Sequence, residues 1–240
     1  MAGGCEAWAR GYSHARIGST DKGRTEVIMR ARKAAVTGPG DGKLRALLAH
    51  YQCPLPYHAV RTRLLGAIAS PAIGISPIAS IKQLWGGELP AFETPAAAET
   101  LFDALIGLWN TLTKHQQRQT PFRLSAIEVA ATDAGLATLA KTRREELDGF
   151  LAGLFGPDDQ IDFPEQAHQA LAHLGEIRVM LAGIVRLAER SKASSSPHEI
   201  KALLGQLQDL KRIAEIEIHA ALIACAQARQ RGVTAQRSDR

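Results

Sequence analysis

The stretch "LLGAIASPAIGISPIASIKQLWGGELPAFETPAAAETLFDAL", Leu64 to Leu105, alternates apolar runs of helical spacing with proline and glycine punctuation. Val60, Leu64, Leu65 and Ile68 share one face of a helix that begins near Tyr57 and stops at Pro71, because the residue before a proline is pushed out of the helical region. Ser76-Pro77 reads as an N-cap followed by a proline at the first helical position, and Gly86-Gly87 closes that short helix just after Trp85. Thr94-Pro95 repeats the start signal and opens a long helix to about Gln117, whose Leu101, Phe102, Leu105, Ile106, Leu108, Trp109 and Leu112 form a broad apolar stripe. The stretch predicts helices joined by tight corners. Trp85 and Phe92 are expected to be buried and to pin the corner; exposed, the same pair would be a partner-binding anchor.

The same signals continue on either side. Upstream, Asp41 reads as the N-cap of a short helix carrying Leu44, Leu47, Leu48 and Tyr51, ended before Pro54. Downstream, "LSAIEVAATD" suits a short helix and a short strand equally. A helix is expected from about Ala134 to Phe155, then a loop over "GPDDQIDFP". Pro164 opens "EQAHQALAHLGEIRVMLAGIVRLAER", read as two helices or one kinked near Gly175. "SKASSSP" is a linker, and Ser196 with Glu199 has capping-box spacing that starts a last helix running to about Gln230. "LLGAIASP" and "LDGFLAGL" (147–154) resemble each other; a duplication would explain this, but the favoured reading is that Gly66 and Gly149 permit close helix crossings.

Composition agrees with an all-α chain. Of 240 residues 45% are hydrophobic and only 5% aromatic, which favours helices packed on Ala and Leu over a sheet. The expected architecture is a compact multi-helix domain over residues 41–230 with a long C-terminal helix, a disordered basic arm over 1–40 and a disordered tail over 231–240. Residues 1 to 50 carry nine Lys/Arg against four Asp/Glu, whereas the remainder carries twenty of each, so the net charge of +5 lies wholly in the first fifth. Met29 is a second candidate start within that fifth. Such an arm would make at most weak, sequence-independent contact with nucleic acid. Cys5, Cys53 and Cys225 are too few and too scattered for a disulfide framework or a zinc site. No signal sequence or membrane span is legible, so a cytoplasmic location is expected and no membrane partner.

Leu65, Gly66, Ser70, Pro71, Ile75, Pro77, Trp85, Gly86, Gly87 and Phe92 together give the pattern of a Leu-Gly turn, a Ser-Pro, an apolar-Pro step and a Trp-Gly-Gly before a new helix. On these residues the chain resembles the YecA/YgfB-like family of bacterial proteins, in particular its YecA branch. Gly149 and Phe150 in "ELDGFLAGL", and "EIEIHAALIA" near the C-terminus, are similar to further family segments, so the resemblance spans residues 56–228. It implies an all-helical fold without an established activity. Family members often end in a cysteine-rich zinc motif; this chain has no cysteine after Cys225, so no zinc role carries over.

The sequence offers little chemistry. Asp158, Asp159 and Asp162 match a DDxxD metal-diphosphate pattern, but flanking Gly-Pro and Phe-Pro confine them to a loop and no second such motif exists. His50, Cys53 and His58 lack a fourth metal ligand. His168 and His173, five residues apart, do not share a helix face. His219 reads as a packing histidine, and "GIS" at 74–76 lacks the closing glycine of a nucleophile elbow. Arg143, Arg144, Glu145, Glu146 and Asp148 alternate in sign as a solvated helix face does. No catalytic residue, metal or cofactor is therefore expected. The function expected is a non-enzymatic helical protein that binds an unidentified protein partner, and the alternative is a nucleic-acid-associated regulator acting through the basic arm.

Overall fold

The computed structural model describes residues 39–72, 76–156, 161–190 and 196–238; residues 1–38 of the arm expected over 1–40, the centre of the Asp-rich loop (157–160) and the linker (191–195) lie outside them. Seven α-helices and two short 3₁₀ turns account for the described regular structure, and no strand is present among the described residues. The helices are α1 (Pro39–His50), α2 (Tyr57–Ala69), α3 (Pro77–Lys82), α4 (Pro95–Leu112), α5 (Asp133–Phe155), α6 (Glu165–Arg190) and α7 (Pro197–Ser238). The all-α expectation holds.

Most corner signals act as read, although Ser76 holds the N-cap position of α3 without a side-chain hydrogen bond and the Thr132 cap was not singled out. Thr94 accepts a hydrogen bond from the Ala97 amide at 3.1 Å, and Thr132 caps α5 through the Gly135 amide at 3.1 Å. The Ser196–Glu199 capping box is reciprocal, at 2.9 and 3.2 Å. Gly86, at φ 80°, takes the left-handed position after the Gln83–Trp85 turn, and the Gly87 amide reaches back to the Lys82 carbonyl, satisfying groups the helix end leaves open.

Four readings differ from expectation, while α1 ends before Pro54 as expected. α1 begins at Pro39, so Asp41 is no N-cap; it lies in the first turn and accepts the Tyr57 hydroxyl at 2.7 Å. After His50, α1 is closed by Gln52 at φ 49°, with the Cys53 amide bonded to the Leu48 carbonyl at 2.8 Å, a C-cap closure in which Gln stands where glycine is usual. α4 stops at Leu112 and continues only as a 3₁₀ turn, Thr113–Gln116. α6 passes Gly175 as one helix. α7 holds 42 residues, ~63 Å at helical rise, and residues 231–238, expected as tail, belong to it.

The most extensive contact joins α2 and α5. His58 meets Glu145 at 2.8 Å, Gly149 lies against Thr62 and Ala59, and Gly153 against Arg63 and Ala67. Residue numbers rise together along both helices, so the pair is parallel. α6 packs on α5 and α7 packs back on α6. Leu64, Leu65, Leu101, Leu105, Phe122, Phe150, Leu174 and Leu222 are almost wholly excluded from water in one continuous core.

Candidate functional site

The resemblance residues sort into two structural groups. Gly66 faces the Phe150 carbonyl and the Leu154 amide so closely that an added Cβ would stand 2.7 Å from that amide and closer still to the carbonyl oxygen. The two look-alike segments therefore pack on each other, with Gly66 opposite the Gly149-Phe150 turn, supporting the close-crossing reading. Gly153 was not singled out, although its spacing of four from Gly149 is the signal that two successive turns of α5 are bare.

The second group builds the corner. Ser70 is buried, its carbonyl and that of Ile68 accept from Arg229 Nη1 at 2.8 Å each, and Arg229 Nη2 donates to Gln116 Oε1 at 2.8 Å. A guanidinium from α7 thus caps the C-terminus of α2, where cations are favoured. Pro71 and Pro77 are half-buried at helix ends; Ile75 lies outside the described residues. Trp85 and Phe92 correct the expected buried pair, since both are half-buried. Each is fixed on Tyr51 instead, Trp85 Nε1 donating to its carbonyl at 2.9 Å and Phe92 meeting its ring edge-on at 5.1 Å. Glu93 completes the anchor, accepting from Tyr51 Oη at 3.1 Å and pairing with His50 at 3.0 Å. Trp85→Ala is accordingly expected to cost about 2–3 kcal/mol, below the range for a fully buried tryptophan, and Trp85→Phe about 1 kcal/mol for the lost indole bond. Urea unfolding of both variants checks the order; a Trp85→Phe protein as stable as the native one would remove the bond from the account.

The charged run of α5 is the main correction. Arg143 and Glu146 are buried, their side chains 4% and 0% exposed, not a solvated face. Their partner is the segment "PFRLSAIEVA" (121–130), which is neither helix nor paired strand. It runs extended with exposure alternating residue by residue, Phe122 and Leu124 inward, yet its backbone groups bond to side chains in place of a neighbouring strand. The Ser125 amide donates to Glu146 Oε1 at 2.7 Å, the Ser125 carbonyl accepts from Arg143 Nη2 at 2.6 Å, and Arg143 Nη1 also pairs with Glu146. The Leu124 amide donates to Glu215 Oε1 at 3.0 Å, and Arg123 Nη1 to Glu215 Oε2 at 2.7 Å. Buried backbone groups require partners, and α5 and α7 supply them. The recess beside this network, lined by Leu124, Arg143, Leu147, Leu210, Lys211 and Ala214, leaves no room for a water molecule.

The remaining titratable candidates are dispersed. His50 goes to Glu93, His58 to Glu145 and Cys53 Sγ to the Leu84 carbonyl, so the three do not share a site. His173 pairs with Glu217 at 3.0 Å, His168 stands edge-on to Phe163, and Asp162 is exposed. Among the described residues no three His, Cys, Asp or Glu gather as a metal site. Cys225 is buried, and burial pushes its thiol up to about 11, far from a thiolate at neutral pH. His115 donates Nδ1–H to the Thr120 carbonyl at 2.9 Å beside the Phe122 ring. Burial lowers its pKa below 6.5; the Thr120 bond opposes this, while Arg61 and His219 add to it. The unfolded chain then takes up a proton that native His115 refuses. Stability is full above pH 6.5 and falls as pH drops from there toward the depressed native value. Urea midpoints from pH 8 to 5 are expected to decline more steeply for the native chain than for His115→Asn; parallel profiles would exclude His115 as the source.

His219, read as a packing histidine, keeps its Nδ1 buried without a hydrogen-bond partner. On the surface, a set of apolar residues is left uncovered. Val179 (65% exposed), Met180 (45%) and Leu187 (60%) on α6, with Ile213 (40%) and Ile216 (64%) on α7, are large apolar residues left in water. Leu147 of α5 meets Ile177, Leu181, Leu210 and Ala214 on the other side of the same two helices, so the exposed set lies on the face turned away from α5. The His173–Glu217 pair fixes the antiparallel register. Met180 is thus level with Leu210, and Leu187 with Leu203, one and two heptads along. No helix among the described residues is long and apolar enough to cross a membrane.

No family model, curated protein or solved structure matches this chain.

Proposed function

We propose that the protein is a non-enzymatic helical interaction protein that binds another protein chain through the outward face of α6 and α7. The observation that carries this reading is the cluster of five large apolar residues exposed on one side of two consecutive helices. Scattered single apolar residues on a surface are ordinary, whereas a contiguous patch marks a contact. The buried charges support the same reading, because Arg143, Glu146 and Glu215 are occupied by backbone partners and hold the fold. Membership of the YecA/YgfB-like family is part of the proposal and rests on the motif residues alone.

A photo-crosslinking amino acid placed at Val179 or Leu187, in the full-length chain in its host cell, tests the reading. Crosslinked protein products are expected at both positions and not at exposed Glu99 on α4. No product at either α6 position would overturn it.

A further inference from the structure

We infer that the occupant of the α6–α7 face is a second copy of this chain, packed about a two-fold axis at which α6 crosses its mate at Val179. This rests on the reading of that face as a binding surface and names the partner.

Three observations converge on it. The first is the shape of the stripe. Gly175, Val179 and Gly183 recur every fourth residue and so share one line along α6. An added Cβ at either glycine would meet nothing within 4 Å, so neither glycine serves packing inside the chain, although glycine inside a helix is unfavourable. Inside the same molecule Gly66, Gly149 and Gly153 let α2 and α5 approach backbone to backbone, whereas Gly107 on α4 and Gly205 on α7 stand open singly; among the described residues, only on α6 do two open glycines flank an exposed apolar residue at helical spacing. The stripe on α6 is the matching half of such a crossing, and what fits it is another helix.

The second observation is symmetry. The glycines lie four residues before and four after Val179, so an antiparallel two-fold through Val179 sets Gly175 of each copy against Gly183 of the other. A self-complementary patch is what an isologous contact requires. The same rotation lays α7 beside the α7 of the second copy. Asp209 and Arg212, exposed and paired with each other at 3.5 Å, straddle the level of Val179 on α7, so the two-fold would bring this pair against its own copy with each Asp209 near Arg212 of the other.

The third is size. The five apolar residues expose the equivalent of between two and three whole aliphatic side chains, a patch of a few hundred Å². A standard interface takes about 800 Å² from each partner, with an apolar centre and a polar rim. The patch supplies the centre, and Glu176, Arg186, Asp209 and Arg212 supply a rim.

Sedimentation of the 240-residue protein tests the assignment. A mass twice 25.8 kDa is expected, with dissociation in about the micromolar range. Val179→Glu, on an exposed position, is expected to weaken association at least ~100-fold with unchanged helicity and, at concentrations where both proteins are single chains, an unchanged melting temperature. Gly183→Leu is expected to raise the melting temperature of the single chain while weakening association, a split that a merely structural glycine would not produce. A single-chain mass at ~100 µM, well above a micromolar Kd, would overturn the second-copy assignment, as would a Val179→Glu protein that associates like the native one. If that single-chain mass comes with a crosslink from position 179 to a different protein, only the assignment of the partner falls. If the crosslink maps to residues 1–38 of the same chain, the chain covers its own face, and both the second copy and the binding reading fall. A single-chain mass with no crosslink also sinks both.

Discussion

Gly66→Ala is expected to lower the unfolding free energy by about 3 kcal/mol or more, the upper part of the range for overpacking, and the melting temperature by roughly 10 °C for a domain of this size. The cause is local. A methyl group at residue 66 would be driven into the Phe150 carbonyl and to 2.7 Å from the Leu154 amide, and both belong to the backbone of α5, which cannot rotate aside as a side chain does. The gain in helix propensity from glycine to alanine, about 1 kcal/mol, is smaller than the clash and does not rescue the variant. Gly153→Ala should behave alike, since its methyl would strike the Arg63 carbonyl and approach the Ala67 amide to 2.9 Å. Gly107 on α4 is the control: nothing lies within 4 Å of its added Cβ, so Gly107→Ala should stabilise by roughly 0.5–1 kcal/mol. Urea unfolding followed by circular dichroism measures all three. A loss below 1 kcal/mol for Gly66→Ala would show that α2 and α5 do not cross as closely as described.

Glu146→Ala is expected to cost about 3–5 kcal/mol, the range for breaking a buried ion pair from one side. The alanine would leave the Arg143 guanidinium buried without its carboxylate and the Ser125 amide without its acceptor. The double variant Arg143→Met/Glu146→Leu should recover a large part of that loss, because it removes both charges together. Amide exchange at Leu124 and Ser125 gives a second readout, with Ser125 faster in Glu146→Ala and Leu124, held by Glu215, less affected. If the double variant were no more stable than Glu146→Ala, the uncompensated charge would not be the cause.

Helix starts and stops were legible because they are short-range. A threonine oxygen three residues from an open amide, a proline at a first turn, or a glycine at positive φ acts within one turn of chain, and reading Thr94, Ser196 and Gly86 requires no knowledge of what lies opposite. The boundaries that shifted lacked such a signal or had a competing one, and the left-handed Gln52 that closes α1 stands without the glycine that usually announces it. Gly175 suggested a break or a kink, yet Glu165–Arg190 is one uninterrupted helix, because the i→i−4 bonds need no side chain.

Burial of charge could not be read locally. Alternating signs over Arg143 to Asp148 look the same whether the face meets water or an extended segment some twenty residues upstream. The difference lies in the unpaired backbone of residues 121–130, which has no neighbouring strand and takes its partners from α5 and α7. For the same reason "LSAIEVAATD" suited two kinds of structure and adopted neither, its conformation being set by carboxylates remote in sequence. The candidate site divides the same way. Val179 and Ile216 each stand two residues from buried neighbours, Ile177 and Leu181 or Ala214 and Ile218, and so on the opposite helix face, but the sequence does not show whether another element covers that face. Helix class, capping and the glycine steps thus follow from interactions spanning a few residues. Which charges are buried and which apolar face stays in water depends on how α5, α6 and α7 are placed, since burial is set by neighbours across the fold and not along the chain.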